Sequence, residues 1–455
     1  MVNQRRRWVR ALLAGALVLV LAGYVTLAET RWARAPVGGD FMKFFASAQL
    51  LVQGEDIYSP VPLGGFDFWS DPESAPGRPL HPNLNPPFAT VLLAPLGTLD
   101  YYTAFMIWTL LGLAAGVLGA YLLGRAVGRG ERDPGDTGPG TAGPNGRRPK
   151  GSDPGGRDPK GSASGKPEAG GDPVTAGVLW ALVLLVYFPT FSALHFGQWT
   201  LVPFFFLVLA WLAWRSGRGG TAGLLLGGLA AIKLFFGAFF LLFLARRRWR
   251  AAGAFVAAWI FCTALSAAVV GVDTLLAYPS VVSMADWHGA SWNASFLGFF
   301  SRLLGGGGVE DPLIRASILT PALAGGLSLL ALASLFLLPG EEETYEEGRT
   351  ADDLAFALTI PVMLLASPFG WMYYFPFLLI TLAVLWQRSR TWKNPKELRQ
   401  LLVLAWLLGT VPQTLITVRG IDADPRIVFG WGGAYVYALV LFWVLAWRRA
   451  RNATA

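Results

Sequence analysis

The chain has 455 residues, 54% of them hydrophobic and only 15% charged, against roughly a quarter charged in an ordinary soluble domain. Its net charge of +8 sits mostly in basic clusters at the ends of apolar runs, the pattern of cytoplasmic flanks of membrane spans, so no nucleic-acid partner is expected. The single cysteine, Cys262, excludes an internal disulfide framework and a cysteine-based metal site.

Apolar runs near 20 residues match a hydrocarbon core about 30 Å thick. No segment shows the alternation of a membrane-spanning strand, so helices must satisfy the backbone. The runs predict helices at about 8–28, 102–124, 174–192, 199–214, 220–232, 234–246, 251–271, 313–338, 353–367, 373–387, 399–418 and 430–448. The expected fold class is an all-α polytopic membrane protein with about 10–12 transmembrane helices. The first run follows MVNQRRRWVR and is long for a signal-peptide core, so a retained helix is expected.

A first outer loop is expected over 29–101. Within it DFMKFFASAQLLVQG has apolar residues at helical spacing, which predicts a helix lying along the membrane surface. NPPFATVLLAPLGTL, at 85–99, is too short to span and reads as a second interfacial or re-entrant piece. Residues 126–172 are rich in Gly, Pro, Ser and charge and predict a disordered cytoplasmic linker. The chain therefore divides into 1–125, the linker 126–172, and a helical bundle at 173–455.

The runs 220–232 and 234–246 are each too short to span. RSGRGG precedes them and RRRWR follows, so a pair of half-depth helices, or a re-entrant hairpin, with both ends in the cytoplasm reconciles length with charge. The expected cytoplasmic charges are Arg5–Arg7, Arg246–Arg248, Arg250, Arg388, Arg390, Lys393, Lys396, Arg399, Arg448, Arg449 and Arg451. The outer side carries Arg31, Arg34, Lys43, Arg78, Arg302, Arg315, Arg419 and Arg426. This asymmetry puts both termini inside. A second outer loop is expected over 272–312.

Several polar residues interrupt this pattern. Asp40, in VGGDF, suits a general base at a cavity mouth or equally a helix N-cap. Asp56, Asp67 and Asp71 lie in turn-forming sequence and read more readily as turn residues. His195, Gly197 and Gln198 form HFGQW between two helices; ligand contact competes there with an aromatic interface belt. Lys233 stands inside AAIKLFF, where an ammonium at membrane depth is a functional candidate or a snorkelling side chain. SMADWHGASWNASFLGFFSRLLGG offers Asp286, His288, Asn293, Ser295 and Arg302 among aromatics; Arg suits a phosphate, and a solvated loop is the plainer reading. SPFGWMYYF brings Trp371, Tyr373 and Tyr374 to an outer turn. The three histidines, His81, His195 and His288, lack zinc-ligand spacing. No metal and no cofactor are expected. Phosphate loops of the Walker type, GxSxG and HExxH are all missing.

Taken in order, GGDF with ASAQLLVQGEDIY, NPPFATVLLAPLGTL, HFGQW, AGLLLGGLAAIKLFFGAFFLLFLARRRWRAA, WNASFLGFFSR and SPFGWMYYF resemble glycosyltransferase family 87 of the GT-C superfamily. The family includes polyprenol-phosphate-mannose-dependent mannosyltransferases of actinobacteria. The resemblance implies a GT-C-like helical bundle that transfers a sugar (mannose, or another hexose or pentose) from a polyprenyl-phosphate donor. The acceptor would be a glycan or glycolipid on the outer face of the cytoplasmic membrane, with membrane lipids as the surroundings. By this likeness Asp40 is the base, Lys233 and Arg302 meet the donor phosphate, and Gln198, Asn293 and Ser295 contact substrate. His195, Trp371 and Tyr373 are further substrate-binding candidates. The family pattern resembles SPxSWxHY near the last motif; here Gly370 replaces the serine and Tyr373 the histidine. That departure bears on substrate choice and keeps open a non-catalytic subunit of an envelope-glycan complex; a lipid-linked-sugar transporter or flippase is a separate alternative.

Overall fold

The computed structural model describes residues 2–32, 39–59, 61–62, 79–80, 83–128, 172–285, 287–309, 312–338, 345–389, 392, 394–412 and 431–451. Most of the expected linker lies outside the described residues. So do Arg34, Asp67, Asp71, Arg78, His81, Asp286, Arg390, Lys393, Arg419 and Arg426.

The helices are α1 (Val2–Leu27), α2 (Asp40–Gln53), α3 (Pro87–Leu93), α4 (Tyr101–Gly128), α5 (Pro173–Leu185), α6 (Phe188–His195), α7 (Leu201–Arg215), α8 (Gly219–Ile232) and α9 (Ala238–Ala245). They continue as α10 (Trp249–Val270), α11 (Val272–Ser283), α12 (Phe296–Leu304), α13 (Leu319–Ala333), α14 (Tyr345–Ala366), α15 (Leu378–Arg388), α16 (Pro395–Gly409) and α17 (Ala434–Arg451). The one strand pair among the described residues joins Val61–Pro62 to Pro79–Leu80. The protein is an all-α polytopic membrane protein.

Helix lengths differ from the expected tally of spans. Among the described residues, α1 with its π-helical continuation to Trp32, α4 and α10 are each long and apolar enough to cross a membrane. α5 and α6 pass together, bent by 62°. The bend has a local cause: Pro189 lacks an N–H and stands in the first turn of α6, so the helix of α5 cannot run through it. α7, α8 and α13 have 15, 14 and 15 residues. At 1.5 Å per residue they reach only about 21–23 Å. The predicted run 313–338 shortens to α13 because residues 314–316 instead bond back to Leu303 and Leu304.

α8 and α9 are two short helices, as expected. A 3-10 turn, Leu234–Gly237, separates them, and Lys233 occupies the break. α10 packs along α8 at backbone contact. A Cβ at Gly223 would lie 2.2 Å from the Ala251 carbonyl oxygen, and one at Gly227 2.2 Å from that of Phe255. Small residues four apart are what let membrane helices approach this closely.

Away from Lys233, the ends of α7, α9, α14 and α15 meet in a charged cluster. Asp352 pairs with Arg246 at 3.1 Å and Arg248 at 2.8 Å. Asp353 pairs with Arg215 at 3.3 Å and Arg388 at 3.6 Å. Three of the expected cytoplasmic arginines thus gather at one end of the bundle.

The segment between α1 and α4 supplies two further helices. α2 is amphipathic, as expected, and its apolar face packs into the protein. Phe41, Met42, Phe44 and Phe45 are buried, and Phe41 sits among Tyr101, Phe105 and Trp108 with ring centroids 5.3–6.1 Å apart. The 85–99 piece, α3 and the 3-10 turn Ala94–Thr98, supplies the other wall: a Cβ at Gly97 would meet the α2 backbone at 2.6 Å.

Candidate active site

The site begins at the first residue of α2. Among the described residues, the Asp40 carboxylate caps no backbone N–H; side chains meet both its oxygens. The Lys43 ammonium lies 3.0 Å from Oδ1, and the Gln198 amide nitrogen donates to Oδ2. Lys43 is one helical turn on from Asp40, so both project from the same face. The helix-cap reading of Asp40 therefore gives way to a carboxylate turned toward side chains.

HFGQW is shaped to bring Gln198 there. α6 ends at His195, and Gly197 takes φ +65, the left-handed conformation that glycine adopts without steric cost. Its N–H bonds the Leu194 carbonyl. The turn is then clamped to α2 and α4: the Phe41 N–H donates to the Phe196 carbonyl at 3.0 Å, and Trp108 Nε1 donates to the Gly197 carbonyl at 2.9 Å.

Lys233 enters from the α8 break. Its Nζ donates to the Tyr374 hydroxyl at 2.7 Å and lies 5.1 Å from that ring's centroid. The Lys43 ammonium similarly lies 5.7 Å from the Trp287 ring. Both cations are thus held against aromatic faces, an arrangement favourable to ammonium groups.

These residues line one cavity of about 410 Å³, open mouth included, together with Phe44, Leu84, Asn85, Trp371 and Tyr373. Two ammoniums and one carboxylate leave the wall with a net charge of +1. The rest of the wall is largely aromatic, and such flat faces suit the apolar face of a sugar ring.

Five expected site residues therefore converge: Asp40, Gln198, Lys233, Trp371 and Tyr373. Four do not line the cavity. His195 is packed among Trp32, Phe191 and Phe196, with centroids 4.9–6.0 Å away. Asn293, Ser295 and Arg302 brace the loop instead. Arg302 donates to the carbonyls of Ala290 at 2.7 Å and Asn293 at 3.0 Å. Asn293 donates to those of His288 and Pro368. Ser295 caps α12, its Oγ accepting from the Gly298 N–H. The expected phosphate contact of Arg302 is thus replaced by bonds to backbone carbonyls.

The bracing has a purpose for the cavity. The Ala294 N–H bonds the Gly370 carbonyl and the Met372 N–H bonds the Trp292 carbonyl, both at 2.9 Å. The two loops are stitched together, and Trp371 and Tyr373 emerge from the seam. Gly370 is required by the end of α14 beneath the seam: a Cβ there would lie 2.3 Å from the Leu364 carbonyl oxygen.

Sequence reasoning passed over Lys43 and Asn85. The three-residue spacing from Asp40 was the available signal for Lys43. Nothing local marks Asn85. Asp56 is a turn residue, its Oδ1 accepting from the Tyr58 N–H. Among the described residues no three His, Cys, Asp or Glu side chains gather as a metal ligand set.

The sequence profile of glycosyltransferase family 87 matches residues 83–368, well over half of the chain. The chain belongs to glycosyltransferase family 87. The match includes Asn85, Gln198, Lys233 and Trp287, whereas Asp40 and Lys43 precede it and Trp371, Tyr373 and Tyr374 follow it. The chain is also 30% identical over 207 residues to the polyprenol-phosphate-mannose-dependent alpha-(1-2)-phosphatidylinositol pentamannoside mannosyltransferase of Mycolicibacterium smegmatis. That alignment covers 44% of this chain and 46% of the relative, so the chain spans about half the length of the curated relative it matches. Family and fold together place the chain among the membrane proteins of glycosyltransferase family 87.

Proposed function

We propose that this transferase moves a hexose, mannose in the first instance, from a polyprenyl-phosphate donor to a hydroxyl of a glycan or glycolipid. The reaction takes place at the outer face of the cytoplasmic membrane, with both termini inside. One observation carries the reading: Asp40 and Lys233, far apart in sequence, line the same aromatic-walled cavity. A transfer reaction needs a base for the acceptor hydroxyl and cations for the departing phosphate. The mannosyltransferase relative, which depends on polyprenol-phosphate-mannose, supports the donor and sugar. The basic clusters around Arg246, Arg388 and Arg448 support the orientation.

In the proposed step Asp40 takes the proton of the acceptor hydroxyl. The oxygen attacks the anomeric carbon from the face opposite the phosphate, and the bond to the phosphate oxygen breaks. Its electron pair leaves on the polyprenyl phosphate, whose charge Lys233 and Lys43 balance. Gln198 and Lys43 hold the carboxylate in one orientation, which limits the reorganisation needed at the moment of transfer. The lipid tail remains in the bilayer. No cofactor or metal is assigned a part.

The test uses purified protein in nanodiscs, radiolabelled polyprenyl-phosphate sugars and membrane lipid extract as acceptor. Transfer to lipid by wild type supports the reading. Absence of transfer from every donor, with movement of the lipid-linked sugar across a vesicle bilayer, assigns the protein to the flippase class instead.

A further inference from the structure

Asn85, from the NPPF motif, borders the cavity and is 2% exposed. Its amide is not free to turn. The backbone N–H of Asn85 donates to Asn83 Oδ1 at 3.0 Å, which fixes the carbonyl end of the Asn83 amide toward Asn85. Asn85 Nδ2 must then face the same oxygen, and it donates to it at 2.8 Å. Asn83 Nδ2 in turn donates to Thr90 Oγ1 at 3.2 Å. The segment is pinned from outside as well: Tyr58 donates to the Asn85 carbonyl at 3.1 Å, and Tyr278 to the Leu84 carbonyl at 3.2 Å.

The consequence is at the remaining atom. Asn85 Oδ1 is buried and, among the described residues, has no hydrogen-bond partner. A buried amide oxygen without a donor is costly, and native proteins retain few such atoms. Flipping the amide does not relieve it, because Nδ2 would then leave Asn83 Oδ1. This oxygen is an acceptor only, so it repels a phosphate and takes a hydroxyl.

We propose that Asn85 is a specificity-determining residue of the transferase: its Oδ1 accepts a hydrogen bond from one sugar hydroxyl bound beside Asp40. This rests on the transfer reaction proposed above. The cavity is then divided by chemistry. Lys43 and Lys233 supply donors for the phosphate, while Asp40 and Asn85 supply acceptors for hydroxyls. The hydroxyl belongs either to the donor hexose or to the acceptor sugar, and the chemistry is the same for both. A site built around such a bond discriminates strongly against a ligand lacking the hydroxyl, because the buried acceptor is left unpaired.

The experiment compares wild type, Asn85→Ala and Asn85→Leu in two arms. One arm uses citronellyl-phosphoryl mannose and its monodeoxy forms as donors. The other uses an octyl mannoside and its monodeoxy forms as acceptors. Each preparation is scored by the ratio of kcat/KM for the full sugar to that for each deoxy form, so the folded fraction cancels. In wild type one position in one arm should show a ratio of about tenfold to 100-fold, and both variants should bring that ratio near one. The arm in which it appears identifies the sugar. Equal ratios in wild type and variants, or a wild type indifferent to every hydroxyl in both arms, would overturn the proposal. Calorimetric titration of the same donor set reads the discrimination without turnover. If no donor is turned over, the transfer reaction fails, while a titration ratio that Asn85→Ala abolishes still upholds the hydroxyl site.

Discussion

Replacing Gly197 by alanine tests whether the HFGQW turn is what sets the Asp40–Gln198 contact. The backbone at Gly197 has φ +65, which costs an L-residue about 1 kcal/mol or more. The added Cβ would lie 2.4 Å from Phe41 Cβ and 3.2 Å from its Cγ. Carbon contacts are comfortable near 3.5–4.0 Å, so Phe41 must retreat by roughly 1 Å. Overpacking of this kind costs about 1–3 kcal/mol, giving a total destabilisation of about 2–4 kcal/mol. Phe41 immediately follows Asp40, and its ring is caught among Tyr101, Phe105 and Trp108. The displacement therefore passes to the carboxylate, and a misplacement near 1 Å costs on the order of 100-fold in rate. The assay measures transfer per folded molecule, with folding followed by size exclusion and thermal unfolding. Gly228→Ala is the control, since nothing lies within 4 Å of its Cβ position. It should keep wild-type transfer and gain up to about 1 kcal/mol in stability. Wild-type turnover by folded Gly197→Ala would refute the reasoning.

Other perturbations separate binding from bracing. Lys233→Met should weaken donor binding by about tenfold to 100-fold, the scale of a hydrogen bond to a charged group, with the protein still folded; titration with a polyprenyl-phosphate sugar checks it. Arg302→Met leaves the carbonyls of Ala290 and Asn293 without this donor. It should lower stability by about 2–4 kcal/mol while KM of the folded fraction stays within a few-fold of wild type. A large rise in donor KM with unchanged unfolding would return Arg302 to the phosphate site. Transfer should persist after dialysis against EDTA, and a loss restored by a divalent cation would show that a metal takes part.

Much of the helical scaffold was legible because its signal is local. A run of apolar residues cannot avoid burial, and its length reports the element. α1, α4 and α10 follow that rule. The expected span over α5 and α6 is bent at Pro189, whose effect on the path depends on what α6 packs against. α2 was read correctly as amphipathic, but the partner of its apolar face is set by α3 and α4, which the sequence of α2 does not contain. The site divides along the same line. Asp40 and Lys233 stood out because charge is expensive in apolar surroundings. Gln198, Asn293, Ser295 and Arg302 looked alike in sequence, as polar residues among aromatics. Backbone carbonyls and amides consume the last three, and only Gln198 reaches the carboxylate. Asn85 is the converse case: its unpaired oxygen follows from the Asn83 amide, and no sequence pattern announces it.

The central claim is that Asp40 removes the acceptor proton in a membrane-embedded sugar transfer. Sugar transfer from radiolabelled polyprenyl-phosphate mannose by wild type and Asp40→Asn in nanodiscs addresses it most directly. Asparagine keeps the shape and the contact with Gln198 but cannot take the proton. The account predicts transfer by wild type and a loss of at least about 100-fold in the folded variant, with donor affinity changed far less. Asp40→Asn turning over at the wild-type rate would contradict it.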